Sequence, residues 1–154
     1  MITKYIKGDI TNTELTYIAH GVNCQNVMGS GVAKALYTKF PEVKRSYHDY
    51  YEEKKLLYYT KPKDFLGSVN ISKSGSKVIF NCFTQENFGY DNNKYVNYSA
   101  IVHCFHELKF LCSDTKKLAI PKIGCGLAGG NWDFMVELIN DTVGDDLEIW
   151  VYEL

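Results

Sequence analysis

A chain of 154 residues, 45% hydrophobic and 23% charged, has the size and composition of one soluble globular domain with a proper core. Its net charge of −1 lacks the basic excess of a general nucleic-acid binder, so we expect no nucleic-acid partner. No apolar run is long enough to span a membrane, and the first residues lack the apolar core of a signal peptide. The five cysteines are irregularly spaced, which fits a reducing compartment better than a disulfide framework. We therefore expect a cytoplasmic protein without a membrane partner, and we expect it to be a monomer.

Hydrophobic patterning predicts strands and helices that alternate along the chain. Predicted strands cover 2–7, 17–22, 65–71, 78–83, 118–123 and 147–152, and the third and fourth form a hairpin around the polar turn 72–76. Predicted helices cover 30–40, 41–54, 95–112 and 131–140, the last with Asn131 as its N-cap. A polar loop rich in asparagine covers 85–94. The alternation predicts an α/β three-layer sandwich around a mostly parallel sheet, in a single domain spanning residues 1–154.

Two uncharged glycine-rich segments each follow a predicted strand and lead into a predicted helix. Glycines at such a junction let backbone N–H groups point outward at a helix N-terminus, where they bind phosphate. Two such segments on one small chain predict a ligand with two phosphates, or a diphosphate held from both sides. The candidate binding residues are Gly29, Ser30, Gly31, Val32 and Ala33 in the first segment, and Gly124, Cys125, Gly126, Leu127 and Ala128 in the second.

The second segment also matches the G-x-G-x-x-G pattern of dinucleotide-binding folds at Gly124, Gly126 and Gly129. That fingerprint opens its fold, whereas only 25 of the 154 residues follow Gly129 here, enough for one helix and one strand. Neither glycine segment is followed by the GK[ST] of a P-loop, and the chain has no CxxC pair. The sequence therefore predicts neither a nicotinamide cofactor nor a metal site, and we expect no cofactor.

In their order and spacing, four segments resemble the macro domain family. They are 7–10 (KGDI), 20–25 (HGVNCQ) leading into 29–33 (GSGVA), 81–85 (NCFTQ) and 120–132 (IPKIGCGLAGGNW). The resemblance covers nearly the whole chain and looks closest to the ADP-ribose 1''-phosphate phosphatase subgroup. It implies a mixed six-stranded sheet between helices, an ADP-ribose cleft at the strand ends, and hydrolysis of ADP-ribose 1''-phosphate to ADP-ribose and phosphate.

The resemblance also implies roles for single residues. Asp9 would accept from the adenine amino group, the Ile10 backbone would contact a ring nitrogen, and Tyr152 would stack on the adenine. Asn23 would orient the distal ribose, and His20, with an ordinary pKa near 6.5, would bind the terminal phosphate or protonate the leaving oxygen. From the residues alone, Asp9 is interpreted as a turn residue and His20 as a core histidine, and Tyr152 is equally a core-edge aromatic. Residues 20 and 23 face opposite sides of a regular strand, so the two catalytic candidates meet only if the strand bends.

Other activities of the same fold stay open at the level of sequence. One macro domain subgroup uses a lysine after the middle strand and an aspartate in the second glycine segment, where this chain has Gln85 and Ala128. Neither residue forms a Schiff base or acts as a base. Cys24, Cys82 and Cys125 are interpreted as small packing residues. We expect a phosphatase that needs no metal; the alternatives are a deacylase or ADP-ribosyl hydrolase, and an ADP-ribose-binding module without turnover.

Overall fold

The computed structural model describes residues 1–58, 60–89 and 93–154, in which one sheet lies between two layers of helices. The strands are β1 (Ile2–Lys7), β2 (Tyr17–Asn23), β3 (Val69–Ser74), β4 (Lys77–Gln85), β5 (Lys117–Ile120) and β6 (Glu148–Glu153). The α-helices are α1 (Gly31–Lys39), α2 (Glu42–Leu57), α3 (Tyr98–Leu111) and α4 (Trp132–Val143), and short 3-10 helices cover Ile10–Asn12, Pro62–Phe65, Gly126–Ala128 and Gly144–Asp146.

The six strands lie in the order β1-β6-β5-β2-β4-β3. Neighbouring strands are parallel except β3, which pairs antiparallel with β4 at one edge. Side chains of α1 and α2 pack on one face of the sheet, where Tyr47 and Phe83 stack with ring centroids 5.6 Å apart. Side chains of α3 and α4, among them Phe105 and Ile139, form the core on the other face. The predicted three-layer α/β fold with a mixed, mostly parallel sheet is confirmed.

The chain changes direction across the sheet between β2 and β5. After β2 it continues through α1 and α2 to β3 and β4 on one side, whereas after β5 it continues through α4 to β6 on the other. The two strands share the pair Ile18 and Ala119, and beyond it the chain leaves each strand toward a different side of the sheet. Such a switch point leaves a crevice at the carboxyl ends of the strands, which is where open α/β sheets bind ligands.

Local capping explains where two predicted elements begin. The predicted strand 65–71 begins too early, because the Asp64 carboxylate accepts from the backbone N–H groups of Thr60 (3.1 Å) and Lys61 (2.9 Å) and closes a 3-10 helix that ends at Phe65. Strand β3 therefore begins only at Val69.

The predicted helix 95–112 also begins later than its apolar pattern suggests. The Asn97 side chain accepts from the Ala100 N–H at 2.9 Å and caps α3, so the helix begins at Tyr98. The predicted N-cap of α4 is confirmed, since Asn131 accepts from the Phe134 N–H at 3.0 Å. In the described part of the chain, no helix combines the length and apolarity required to cross a bilayer.

Two glycines of the second glycine segment differ in how closely the rest of the chain packs against them. Gly126 and Gly129 share a left-handed φ of +73°, but a Cβ on Gly126 would meet nothing within 4 Å, whereas on Gly129 it would lie 2.6 Å from the Asn93 carbonyl oxygen. Left-handed strain costs about 1 kcal/mol for alanine at either position. Overpacking against backbone adds about 1–3 kcal/mol in Gly129→Ala alone.

We therefore expect Gly129→Ala to lower the free energy of unfolding by roughly 2–4 kcal/mol and Gly126→Ala by about 1 kcal/mol. Urea denaturation of both variants measures this difference. Equal losses in the two variants would contradict the close approach of the segment around Asn93 to Gly129.

Candidate functional site

A cleft of about 460 Å³ opens at the carboxyl ends of β2 and β5, at the switch point of the sheet. This volume lies in the range usual for small-molecule sites. Its walls are the two glycine-rich segments, and the loop after β4 closes one side. The described residues that line the cleft are His20, Gly21, Val22, Asn23, Val27, Met28, Gly29, Ser30, Gly31, Val32, Ala33, Gln85, Phe88, Gly89, Pro121, Lys122, Ile123, Gly124, Cys125, Gly126 and Ala128.

The N-terminus of α1 forms the first wall of the cleft. Ser30 occupies the N-cap position, but its side chain makes no capping hydrogen bond, and the first turn of the helix carries no acidic residue. Helices α3 and α4 do have side-chain caps, from Asn97 and Asn131. Within the part of the chain that the structure describes, the first-turn N–H groups of α1 thus lack a side-chain partner, and the helix dipole adds partial positive charge beside the cleft.

The second wall is backbone held in a conformation that favours glycine. Gly124 has φ +76° and Gly126 has φ +73°, and the position of a Cβ on Gly126 is open space. A ligand can therefore approach the main chain of Gly126 closely. Together the two walls present backbone N–H groups and no charged side chain, an arrangement suited to phosphate groups.

Lys122 is the one formally charged side chain among the described lining residues, and sequence reasoning missed it. Its Nζ lies 2.8 Å from Glu153 Oε2, with 40% and 43% of the two side chains exposed. That hydrogen bond raises the pKa of Lys122. Exposed ion pairs stabilise folded proteins little, so this pair matters more for the charge at the mouth of the cleft. The signal in the sequence was a basic residue two positions before Gly124.

Asn23 ends β2 and projects into the cleft region after an irregularity in the register with β4, between Val22 and Asn23. Its Oδ1 accepts from the Gln25 N–H (3.0 Å) and the Tyr47 hydroxyl (3.0 Å). Its Nδ2 donates to the Val27 carbonyl (2.8 Å). The second Nδ2 hydrogen has no acceptor among the described residues and can be donated to a ligand oxygen.

His20 lies at the floor of the cleft, 1% exposed, with Nε2 2.5 Å from Asn81 Oδ1. Because Asn81 Nδ2 donates to Asn70 Oδ1 (2.8 Å) and to the Val43 carbonyl (3.2 Å), Asn81 Oδ1 is the acceptor and His20 Nε2 the donor. Burial lowers the pKa of His20 to about 4. Near neutral pH the imidazole is therefore uncharged and its Nε2–H is held by Asn81, so this geometry does not favour the predicted role of a proton carrier, which stays a prediction.

The three residues assigned to adenine are not among the described residues that line the cleft. Asp9 Oδ1 accepts from the Thr11 N–H at 2.9 Å and caps the 3-10 helix Ile10–Asn12. Tyr152 is 8% exposed, and its hydroxyl lies 2.6 Å from Thr13 Oγ1, which leaves little ring surface for stacking. Ile10 is buried beside them. Their roles toward adenine stay predictions.

Several cleft residues were not singled out from the sequence. Phe88, 46% exposed, comes from the loop after β4, and Val27 and Met28 precede the first glycine segment. The loop was predicted only as polar, so its aromatic residue carried no periodic signal. Of the candidate binding residues, Leu127 lies in the 3-10 helix Gly126–Ala128, and its side chain lies outside the described part of the chain.

The cysteines near the cleft are not poised as nucleophiles. Burial, with a contribution from Glu86, raises the pKa of Cys24 to about 12, and burial also raises the pKa of Cys125. Both thiols are protonated at neutral pH, whereas the thiolate is the reactive form. Among the described residues, no group of three or more His, Cys, Asp or Glu side chains is arranged to hold a metal ion.

The burial of His20 makes the free energy of unfolding depend on pH. The folded-state pKa of about 4 lies below the ordinary value of 6.5, so the unfolded chain binds more protons at pH values between the two. The free energy of unfolding therefore decreases as the pH falls from about 6.5 to about 4, by about 3 kcal/mol in all. His20→Gln removes this contribution.

Urea denaturation of the wild type and His20→Gln between about pH 7 and about pH 4.5 isolates the contribution, because all other titrating groups are shared. We expect the stability of the wild type relative to the variant to decline toward low pH. A difference that stays constant over this range would contradict an uncharged, buried His20.

Several known proteins are similar to this chain in sequence or in fold. A family model of the macro domain matches residues 19–139. The chain is 35% identical to an uncharacterized 17.5 kDa protein of Enterobacteria phage T4, over 99% of this chain and 97% of that protein. It is 30% identical to a Scheffersomyces stipitis protein named ADP-ribose 1''-phosphate phosphatase, over 84% of this chain and 88% of that protein. A solved macrodomain protein from Streptomyces coelicolor has the same fold, with a TM-score of 0.80 at 22% identity, covering 100% of this chain and 99% of the other.

Proposed function

Because this chain belongs to the macro domain family, we propose that its cleft binds ADP-ribose and that the protein is an ADP-ribose 1''-phosphate phosphatase. In this proposal it hydrolyses ADP-ribose 1''-phosphate to ADP-ribose and inorganic phosphate. The observation that carries it is the pair of uncharged backbone walls at the switch point, one of which is the N-terminus of α1 without a side-chain cap. The Scheffersomyces stipitis relative supports the choice of phosphatase.

The two walls suit a diphosphate because their donors are fixed before the ligand arrives. Backbone N–H groups at Gly31–Ala33 and around Gly126 belong to defined secondary structure and need little rearrangement to bind phosphate oxygens. Helix dipole and main-chain donors replace a cation in this proposal, so binding requires no metal. Lys122 at the mouth adds one positive charge that a ligand phosphate can share with Glu153.

We assign the distal ribose to the part of the cleft beside Asn23 and Phe88. There Asn23 Nδ2 donates its second hydrogen, the one not bonded to the Val27 carbonyl, to a ribose oxygen. This hydrogen bond holds the reacting carbon and its phosphate in one orientation. Phe88 provides an apolar surface beside it. His20, uncharged and bonded to Asn81, supports the floor of the site and transfers no proton near neutral pH.

One observation favours the second candidate function, an ADP-ribose-binding module without turnover. Among the described lining residues no aspartate or glutamate is present to act as a general base, the low pKa of His20 makes it a weak base, and the nearby Cys24 thiol is protonated at neutral pH. The deacylase or ADP-ribosyl hydrolase alternative uses the same walls, but Gln85 and Ala128 stand where one such subgroup has its lysine and aspartate.

Replacing Asn23 separates the enzyme from the binding module. An interaction made at the reacting centre affects turnover more than ligand affinity. We expect Asn23→Ala to lower kcat for phosphate release from ADP-ribose 1''-phosphate roughly 100-fold. The Kd for ADP-ribose should change less than about threefold, because the backbone walls are untouched. Asn87→Ala, an exposed asparagine outside the lining, is the matched control.

Equal trace-level phosphate release from the wild type and both variants would contradict the phosphatase and favour the binding module. Parallel assays with O-acetyl-ADP-ribose and an ADP-ribosylated protein test the remaining alternative. Turnover of either compound by a wild type that leaves ADP-ribose 1''-phosphate intact would assign the deacylase or hydrolase activity.

The second wall is tested by Gly126→Val. The valine side chain would extend into the open space where we place the diphosphate, at a φ of +73°. We expect the affinity for ADP-ribose to fall at least tenfold, about 1.4 kcal/mol. Gly75→Val is the control, because Gly75 also has a positive φ of +58° and open surroundings but lies in the β3–β4 turn at the other end of β4. Normal binding by a folded Gly126→Val variant would show that this wall does not contact the ligand.

A further inference from the structure

Helix α2 holds the segment that joins β2 to the first glycine segment. The Tyr47 hydroxyl lies 2.8 Å from the carbonyl oxygen of Asn23 and 3.0 Å from its Oδ1. One helical turn later, the Tyr51 hydroxyl donates to the Cys24 carbonyl at 2.9 Å. Residues four apart lie side by side on a helix, so both tyrosines reach the same segment.

Two further positions of α2 hold the next turn of this segment. Asn26 adopts a left-handed φ of +60°. This conformation costs an asparagine about 1 kcal/mol or less, which is less than it costs a bulkier residue. Its side-chain amide is held at both ends, with Oδ1 2.6 Å from His48 Nδ1 and Nδ2 donating to Glu52 Oε1 at 2.9 Å. A residue in this region persists when its surroundings determine its conformation. Helix α2 therefore fixes the path of the chain on both sides of Cys24.

Tyr47 is rigid and keeps its proton. Its ring is fully buried and stacks on Phe83, with centroids 5.6 Å apart and an interplanar angle of 24°. Burial raises the pKa of Tyr47, so the hydroxyl is a hydrogen-bond donor throughout the neutral range. Its single hydrogen lies between the two oxygens of Asn23, and both can only accept.

We propose that Tyr47 is the positioning residue for Asn23, fixing the orientation of its side-chain amide so that Nδ2 faces the ligand. The inference rests on the proposed function, in which Asn23 donates to the distal ribose. An asparagine amide has two nearly equivalent orientations, related by a half-turn about its last bond. With Oδ1 held toward α2 by Tyr47 and Gln25, the donor is left for the cleft. In the flipped orientation an oxygen would face the ligand oxygen and repel it.

The variant Tyr47→Phe removes only the hydroxyl and tests the positioning role of Tyr47. One neutral hydrogen bond contributes about 1 kcal/mol to the preference for one orientation, which is about a fivefold change in the ratio of the two orientations. Because the Gln25 N–H and the Val27 carbonyl also favour the productive orientation, we expect Tyr47→Phe to lower kcat for phosphate release by up to about fivefold, with the KM and the Kd for ADP-ribose changed less than about twofold. Tyr17→Phe is the matched control, because the Tyr17 hydroxyl donates to Asp114 at the opposite end of β2. It removes a hydroxyl without contact to the cleft.

A double variant distinguishes positioning from general loss of structure. If Tyr47 acts through Asn23, Tyr47→Phe has no further effect on kcat in the Asn23→Ala background. Multiplicative losses in the double variant would overturn the proposal, as would equal kcat values for Tyr47→Phe and Tyr17→Phe.

A measurement independent of turnover keeps this inference separate from the proposed function. The Asn23 side-chain amide gives ¹H–¹⁵N signals that are assigned by their loss in Asn23→Ala. We expect these signals to shift or broaden in Tyr47→Phe and to stay in place in Tyr17→Phe. A wild type without phosphatase activity would overturn the proposed function alone. Unchanged Asn23 signals in Tyr47→Phe would overturn the positioning role, whatever the enzyme assay gives.

Discussion

The parting of β2 and β5 is the constraint on which the rest of the structure depends. The recorded pairing of the two strands is one residue pair, Ile18 with Ala119, and the sheet continues in opposite directions from this point. Beyond the pair, each strand leads into a turn rich in glycine, and the first of these turns leads into the N-terminus of α1. Both turns line the cleft between the strand ends. The cleft is thus a consequence of topology, and its preference for anionic groups follows from the donors that line it.

The layer beneath the cleft supplies rigidity through neutral polar groups. His20, Asn81, Asn70 and Ser46 form a chain of hydrogen bonds between the cleft floor and α2, and the described side chains in it carry no charge at neutral pH. Buried neutral networks cost little desolvation where their polar atoms are paired, as all but His20 Nδ1 are here, and they fix side-chain orientations that apolar packing leaves free. Asn23 is held in the same way by Tyr47. Precision at the ligand site therefore originates in α2, a helix that contributes none of the described lining residues.

Local signals predicted much of this fold from sequence. The glycine segments and the Asn131 cap depend on residues close together in the chain, and they lie where the sequence placed them. The strand predicted at 65–71 was misplaced because a side-chain cap by Asp64 outweighed an apolar pattern. The state of His20 depends on complete burial, which a strand pattern does not determine. Tyr47 owes its importance to a contact with Asn23, which is distant in sequence, so no local pattern marked it. Lys122 stands close to the second glycine segment in sequence, but its contact with Glu153 is visible only in the structure.

In the proposed function, two backbone walls hold a diphosphate without a metal. Calorimetric titration of the protein with ADP-ribose in the presence of EDTA measures this binding, with AMP and ribose 5-phosphate as truncated ligands. We expect one ADP-ribose per chain with EDTA present, and at least about tenfold weaker binding of either fragment, since each loses contacts on one side of the cleft. No detectable binding of ADP-ribose at millimolar concentration would contradict it.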